Sequence, residues 1–107
     1  MSTKGDIKAA IPKGCDNAIL LRDLANVVGV ETRQVKRHIQ DLRFEGEPII
    51  SKTDGGYYYP ELGSAADMAN ARRFIAMMRD QADQRYVTAR VVEGWLKNAE
   101  KEETEKS

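Results

Sequence analysis

Apolar residues recur at helical spacing on both sides of one glycine in the N-terminal half of the chain. The helix predicted before Gly29 carries the apolar residues Leu20, Leu24, Val27 and Val28. The helix predicted after it runs to Phe44 and carries Val35, Ile39 and Leu42. Spacings of three and four residues indicate amphipathic helices. Two such helices joined by a tight glycine turn predict a helix-turn-helix.

A β-hairpin is predicted directly after the second helix. The β-prone residues 49–51 and 57–59 flank an Asp-Gly-Gly turn, which is typical of a hairpin. Alternation along the second strand predicts that Tyr57 and Tyr59 pack on the helices and that Tyr58 is partly exposed. A hairpin in this place is the wing of a winged helix-turn-helix.

The residues before this motif predict smaller elements. Residues 3–11 have helical spacing, and Pro12 and Gly14 provide a stop signal behind them. Ala18 and Ile19 are compatible with a very short strand. Together these elements predict a winged helix-turn-helix domain over residues 1–62.

A seven-residue apolar repeat occupies most of the C-terminal part, residues 63–99. Its apolar positions are Met68, Ala71, Ile75, Met78, Ala82, Ala89, Val92 and Leu96. Only Arg85 interrupts the repeat, which favours one long helix, although two helices broken near residues 81–84 are the alternative. The composition of residues 100–107 predicts a disordered tail. The predicted fold class is therefore mainly α with a small β-hairpin: a winged helix-turn-helix followed by a long helix or a helical hairpin.

The repeat predicts an apolar seam that needs a partner surface. We expect an oligomerisation surface, most simply of a homodimer, formed by Met68, Ala71, Ile75, Met78 and Ala82. Folding of the helix back onto the wing or the first helix is the alternative.

Charge and composition limit the functions that the chain can have. The 17 Lys and Arg residues balance the 17 Asp and Glu residues, so bulk charge does not attract this protein to nucleic acid. A local basic cluster nevertheless lies in the second helix of the motif, where four cations oppose only Asp41: Arg33, Lys36, Arg37 and Arg43. One cysteine and one histidine do not provide a disulfide or a four-ligand zinc site. No apolar stretch approaches the length of a membrane span, so a cytoplasmic protein is expected.

The cluster suggests a DNA-reading helix around residues 32–44. Opposite its apolar face, this helix presents Thr32, Arg33, Lys36, Arg37 and Gln40. Arg pairs with guanine through two hydrogen bonds, and Gln40 or the nearby Gln34 can do the same with adenine. Phosphate contacts are expected from Arg22 and from Lys52 and Thr53 in the wing, whereas Asp54 opposes them.

Catalytic chemistry is not indicated. The chain has no paired carboxylates with an evident pocket, no phosphate-binding glycine loop and no nucleophile triad. His38 is expected to be a half-buried packing residue. We therefore predict a protein that is not an enzyme and has no cofactor.

Residues 17–60 resemble the small winged-helix proteins of bacteriophages and prophages of Gram-positive bacteria. The matching segments are residues 17–19, 24–25 with 29–30, 33–43, 45–46, 48–51 and 56–58, with a looser match at 73–75 and 78–79. Leu20 and Glu31 depart from the pattern, because Ser or Thr commonly caps the helices there. The resemblance implies a double-stranded DNA-binding regulator or an accessory factor of replication or excision.

Two functions therefore compete. The first is a homodimer that reads half-sites in double-stranded DNA. The second is a winged-helix module that binds another protein, such as a phage or replication component, without tight DNA binding. Zero net charge, Glu31 and Asp54 favour the second function, and the basic face of the predicted reading helix favours the first.

Overall fold

The computed structural model describes residues 3–106 and contains four α-helices, a 3₁₀ turn and three short strands. In chain order they are α1 (Thr3–Ala10), the 3₁₀ turn (Cys15–Asn17), β1 (Ile19–Leu20), α2 (Leu21–Val28), α3 (Thr32–Phe44), β2 (Ile50–Ser51), β3 (Gly56–Tyr58) and α4 (Ala65–Lys106). The protein is thus mainly helical, with a small antiparallel sheet and a long C-terminal helix. The chain divides into two compact units, Met1–Phe74 and Ile75–Ser107, which we call the first and second units.

The core of the first unit is formed where α1, α2 and α3 meet. Its buried residues are Ile7, Ile11, Leu24, Ala25, Val35, Ile39, Leu42 and Ile49. The spacing of Val35, Ile39 and Leu42 places all three on one side of α3, as the periodicity predicts. Val27 is an exception to the predicted apolar face of α2, because its side chain is 69% exposed.

A left-handed glycine separates α2 from α3. Gly29 has a φ of 80°, and the N–H groups of Gly29 and Val30 both donate to the carbonyl oxygen of Ala25, at 2.8 and 3.1 Å. The left-handed conformation of Gly29 ends α2, because it turns the chain away from the helix axis and brings the N–H of Val30 back to the carbonyl oxygen of Ala25. Only the residues 29–31 then separate α2 from α3, so the predicted tight turn between two helices is confirmed.

The hairpin is also confirmed, and it belongs to a sheet of three strands in the order β1-β3-β2. Both strand pairs are antiparallel: β1 pairs Ile19 with Tyr57, and β2 pairs Ile50 with Tyr58. The Asp54 carboxylate accepts a hydrogen bond of 3.0 Å from the N–H of Gly56, which closes the turn between β2 and β3.

The prediction that Tyr58 is partly exposed is wrong, because its side chain is only 1% exposed. Alternation does place Tyr57 and Tyr59 against the helical core, but the opposite face of the sheet is covered too. Asp67 and Asn70 of α4 lie near the Tyr58 hydroxyl, and burial raises the pKa of Tyr58. The first turns of α4 therefore bury the sheet face that we expected to meet solvent.

The buried carboxylate of Asp67 fastens the start of α4 to two loops. Its Oδ1 accepts a hydrogen bond of 3.1 Å from the N–H of Cys15, and its Oδ2 accepts one of 2.8 Å from the N–H of Glu61. The N–H of Asp67 donates to Ser64 Oγ at 3.2 Å, so Ser64 caps the helix. Hydrogen bonds from Cys15 and Glu61 hold the pKa of Asp67 below its ordinary value.

The helix α4 is continuous through residues 81–84, so the predicted alternative of two shorter helices is wrong. It also continues through Lys106 where we expected a disordered tail. Glu and Lys, which dominate residues 100–106, are strong helix formers, and this propensity offsets their low hydrophobicity. No helix within residues 3–106 combines the length and the apolar character needed to cross a membrane.

Candidate nucleic-acid interface

The outer side of α3 gathers the predicted base-reading residues. With Val35, Ile39 and Leu42 buried, the five predicted residues are all exposed on the remaining surface of the helix. We call them the α3 face: Thr32, Arg33, Lys36, Arg37 and Gln40. No hydrogen bond or ion pair joins any of these five side chains to another residue within residues 3–106. They are therefore free to contact a ligand.

Gln34, the alternative to Gln40 for reading adenine, has its side chain engaged at the start of α3. The Gln34 side chain accepts a hydrogen bond of 3.2 Å from the backbone N–H of Glu31, and the two residues form a reciprocal capping box at the start of α3. Glu31 thus caps α3, although Ser or Thr commonly occupies this position. Its negative charge lies at the positive end of the helix dipole, which stabilises α3.

Arg43 is half-buried and does not belong to the α3 face. Its Nε donates a hydrogen bond of 3.0 Å to the carbonyl oxygen of Ile49, and its guanidinium lies 5.3 Å from the centre of the Phe74 ring. Burial lowers the pKa of Arg43. The local cluster at the surface of α3 therefore contains three cations instead of the four counted in the sequence.

The acidic side chains at the end of α3 are turned toward α1. Glu45 forms an ion pair with Lys4, and Glu47 forms one of 2.8 Å with Lys8. Hydrogen bonding to Glu45, together with the charges of Glu45 and Asp41, raises the pKa of Lys4. Similarly, Lys8 holds the pKa of Glu47 below its ordinary value. Opposite charges are thus paired on the α1 side, whereas the cations of the α3 face form no ion pair with any residue in the described range 3–106.

Phe44 extends the α3 face and was missed in the sequence. Its side chain is 78% exposed although it is a large aromatic residue. Arg33, Arg37, Gln40 and Phe44 are separated by four, three and four residues, which places them on one stripe of the helix. That spacing was visible in the sequence, but Phe44 was counted only as the apolar end of the helix.

The other predicted phosphate contacts lie on different elements of the first unit. Arg22 is exposed on α2, with its Nε 3.8 Å from a carboxylate oxygen of Asp23. In the β2–β3 turn Thr53 is exposed, and Lys52 Nζ donates a hydrogen bond of 3.3 Å to the carbonyl oxygen of Cys15. No hydrogen bond or ion pair within the described residues connects these three side chains to the α3 face.

The predicted oligomerisation residues are divided between the two units. Met68 and Ala71 lie in the first unit, where Met68 is exposed and Ala71 is half-buried. Ile75, Met78 and Ala82 lie in the second unit and are exposed there. Further large apolar side chains of α4 are exposed as well: Met77, Tyr86, Val87, Val91, Val92, Trp95 and Leu96.

Protein-family models, curated proteins and solved structures were compared with this chain, and none matches it. Within the described part of the chain, no group of three His, Cys, Asp or Glu side chains is arranged to hold a metal ion. His38 is half-buried in α3, in agreement with a packing role.

Proposed function

We propose that this chain is a winged helix-turn-helix protein that binds double-stranded DNA by inserting α3 into the major groove. The observation that carries the proposal is the α3 face, with five exposed side chains that have no partner within residues 3–106. A helix of 13 residues is about 20 Å long, and the major groove is about 12 Å wide, so the groove accommodates an α-helix of this kind.

Each residue type on the stripe has a matching group on a base edge. Arg33 and Arg37 each provide a fork of N–H donors for O6 and N7 of guanine. Gln40 provides the donor and acceptor pair that matches N6 and N7 of adenine, and the Phe44 ring can contact the methyl group of thymine. Thr32 and Lys36 lie on one side of the stripe, where phosphates would be nearer than bases.

Other residues of the first unit would orient the protein on the duplex through phosphate contacts, without reading the base sequence. Arg22 and the hairpin residues Lys52 and Thr53 are exposed and suited to phosphate contacts. By resemblance to small phage and prophage proteins, we further propose a cytoplasmic regulator or an accessory factor of replication or excision.

A protein partner is the second candidate, because two large apolar side chains of the helix pair are exposed. Val27 of α2 is 69% exposed and Phe44 of α3 is 78% exposed. Apolar side chains of this size are frequent at protein interfaces. Under this hypothesis α3 and α2 contact a protein, and the chain has no preference for any DNA sequence.

Selection from random duplex DNA tests the first candidate against the second. We expect the full chain to enrich a short sequence that contains guanine at positions contacted by Arg33 and Arg37. The matched control is the Arg33→Ala, Arg37→Ala double variant in the same selection, which should enrich no such sequence. Recovery of the same sequence by both proteins, or of none by the full chain, would contradict the proposal.

A further inference from the structure

The second unit is a single helical segment whose large apolar side chains are exposed to solvent. Trp95 is 67% exposed, and Ile75 and Leu96 are each about half exposed. In a heptad repeat written abcdefg, Ile75, Ala82, Ala89 and Leu96 take position a, and Met78, Arg85, Val92 and Ala99 take position d. A stripe of this length requires a covering surface in water.

The e positions, which lie beside the a and d positions, are basic in the first half of the repeat and acidic in the second half. Arg72 and Arg79 occupy these positions before the middle of the repeat, and Glu93 and Glu100 occupy them after it. Tyr86 lies at the midpoint. The order along the helix is therefore basic, basic, aromatic, acidic, acidic.

We propose that α4 pairs with α4 of a second copy of this chain in an antiparallel coiled coil whose two-fold axis crosses the seam at the level of residues 86 and 87. In this register Arg79 lies opposite Glu93 of the second copy, and Arg72 lies opposite Glu100 of the second copy. Two-fold symmetry repeats both ion pairs, and Tyr86 meets its own copy. The proposal concerns α4 alone and does not depend on DNA binding.

The same register fills the apolar seam. Antiparallel coiled coils pair a positions with d positions, so Ile75 packs on Ala99, Met78 on Leu96 and Ala82 on Val92 of the second copy. Arg85 packs beside the small side chain of Ala89. Its aliphatic stem can cover that methyl group while its guanidinium reaches water.

The alternative registers lack these pairings. A parallel dimer places Arg85 directly against Arg85 of the second copy, which brings like charges together in the seam. In a parallel dimer the e residues of one helix face the g residues of the other. The g residues are all uncharged, so no opposite charges meet: Phe74, Gln81, Thr88 and Trp95. Sliding the antiparallel pair by one heptad retains only one distinct ion pair, either Arg79 with Glu100 or Arg72 with Glu93.

A charge exchange tests the ion pairs. Arg79→Glu and Glu93→Arg should each raise the dissociation constant of the dimer about tenfold, because each creates two like-charge contacts. The variant with both changes should return to the affinity of the unmodified chain. Residues 79 and 93 are too far apart on one helix to touch, so such rescue requires a second copy.

The control for the charge exchange is Lys97→Glu, at a b position that faces away from the seam, and it should leave the dissociation constant unchanged. Sedimentation gives the constants, and circular dichroism checks that helix content is retained. A monomer at about 100 μM, or a double variant that is no tighter than the single variants, would overturn the proposal.

Disulfide trapping tests the direction of the helices. With Cys15 replaced by Ser, chains carrying Ala82→Cys or Val92→Cys should not cross-link alone under mild oxidation. A mixture of the two should form a covalent dimer, since residues 82 and 92 share one layer only when the helices are antiparallel. Cross-linking of each variant by itself would indicate parallel helices, and no cross-linking in the mixture would contradict the register; either result overturns the proposal.

Discussion

Three arginines of α3 have different surroundings although they lie within one helix. Arg33 and Arg37 are exposed and have no partner within residues 3–106, whereas Arg43 donates to the carbonyl of Ile49 and lies over the Phe74 ring. The helical spacing separates the first two from the buried apolar side, as the sequence predicted. The position of Arg43 could not be predicted in this way, because it depends on contacts with Ile49, which precedes β2, and with Phe74 of α4.

At the scale of single residues, we expect Arg33→Ala and Arg37→Ala each to weaken binding to a selected DNA site. The expected loss is about 1 to 3 kcal/mol for each, because each removes a two-hydrogen-bond contact with guanine. Fluorescence anisotropy on the selected site measures it. Arg90→Ala on α4 is the control and should bind like the unmodified chain. Equal affinity of all three variants would show that the reading residues are wrongly assigned.

A second prediction at this scale concerns the carboxylate of Asp67. Because its pKa is lowered in the folded chain, it stabilises the fold above the pKa of the unfolded state, and that stabilisation is lost as the pH falls through the folded pKa. Asp67→Asn leaves one of the Cys15 and Glu61 N–H groups facing an amide donor. The thermal midpoint should fall by several degrees at pH 7 and by less at pH 3.

The control for this measurement is Asp80→Asn, which removes an exposed carboxylate of α4. It should change the midpoint little at either pH. An equal loss for Asp67→Asn at both pH values would contradict the role of the ionised carboxylate. A signal for this residue was present in the sequence, because Ser64 and Asp67 have the spacing of a capping box.

At the scale of elements, the apolar periodicity predicted α3 and the end of α2 at Gly29, and the Asp-Gly-Gly segment predicted the hairpin. These are local patterns, and local turn chemistry determines them. The exposure of Tyr58 was not predictable from alternation, because α4 comes later in the chain and packs on the second face of the sheet. The assignment of these elements to a winged helix-turn-helix stays a prediction.

The turn at Gly29 leads to a prediction about two glycines. Gly29→Val should lower the free energy of unfolding by about 1 to 3 kcal/mol, since a β-branched residue is strained at a φ of 80°. Gly94→Ala is the matched control. Gly94 lies inside α4, its added methyl group would meet no atom within 4 Å, and this change should stabilise the chain by about 0.4 to 1 kcal/mol. Urea unfolding gives both values, and unchanged stability of Gly29→Val would argue against the left-handed turn.

At the scale of the whole molecule, the seven-residue repeat predicted the long helix, but no pattern within the repeat revealed where the two units divide. The first unit includes α4 through Phe74, because the Arg43 and Asp67 contacts attach that segment to the sheet and loops. These contacts join residues far apart in the sequence. The apolar side chains after Phe74 have the spacing of a seam, which leads to the dimer prediction.

Ile75→Asp combined with Met78→Asp should convert the dimer into a monomer without unfolding the first unit. The two carboxylates would lie in the seam, where burial of their charge is strongly unfavourable. Light scattering gives the mass, and the thermal transition of the chain reports on the first unit. Val87→Asp, at an f position, is the control and should remain dimeric. A dimer of unchanged stability in the double variant would show that these residues do not form the interface.

The dependence of DNA affinity on salt tests whether the cations of the first unit bind the phosphates of duplex DNA. For the full chain on the selected duplex, the logarithm of the association constant should fall linearly with the logarithm of salt concentration. Three cationic phosphate contacts, those of Lys36, Arg22 and Lys52, weaken binding roughly fortyfold between 50 and 200 mM salt. Lys36→Ala should reduce the slope by about one. The account would be contradicted if the duplex were not bound at 50 mM salt with the protein at about 100 μM, or if affinity were independent of salt.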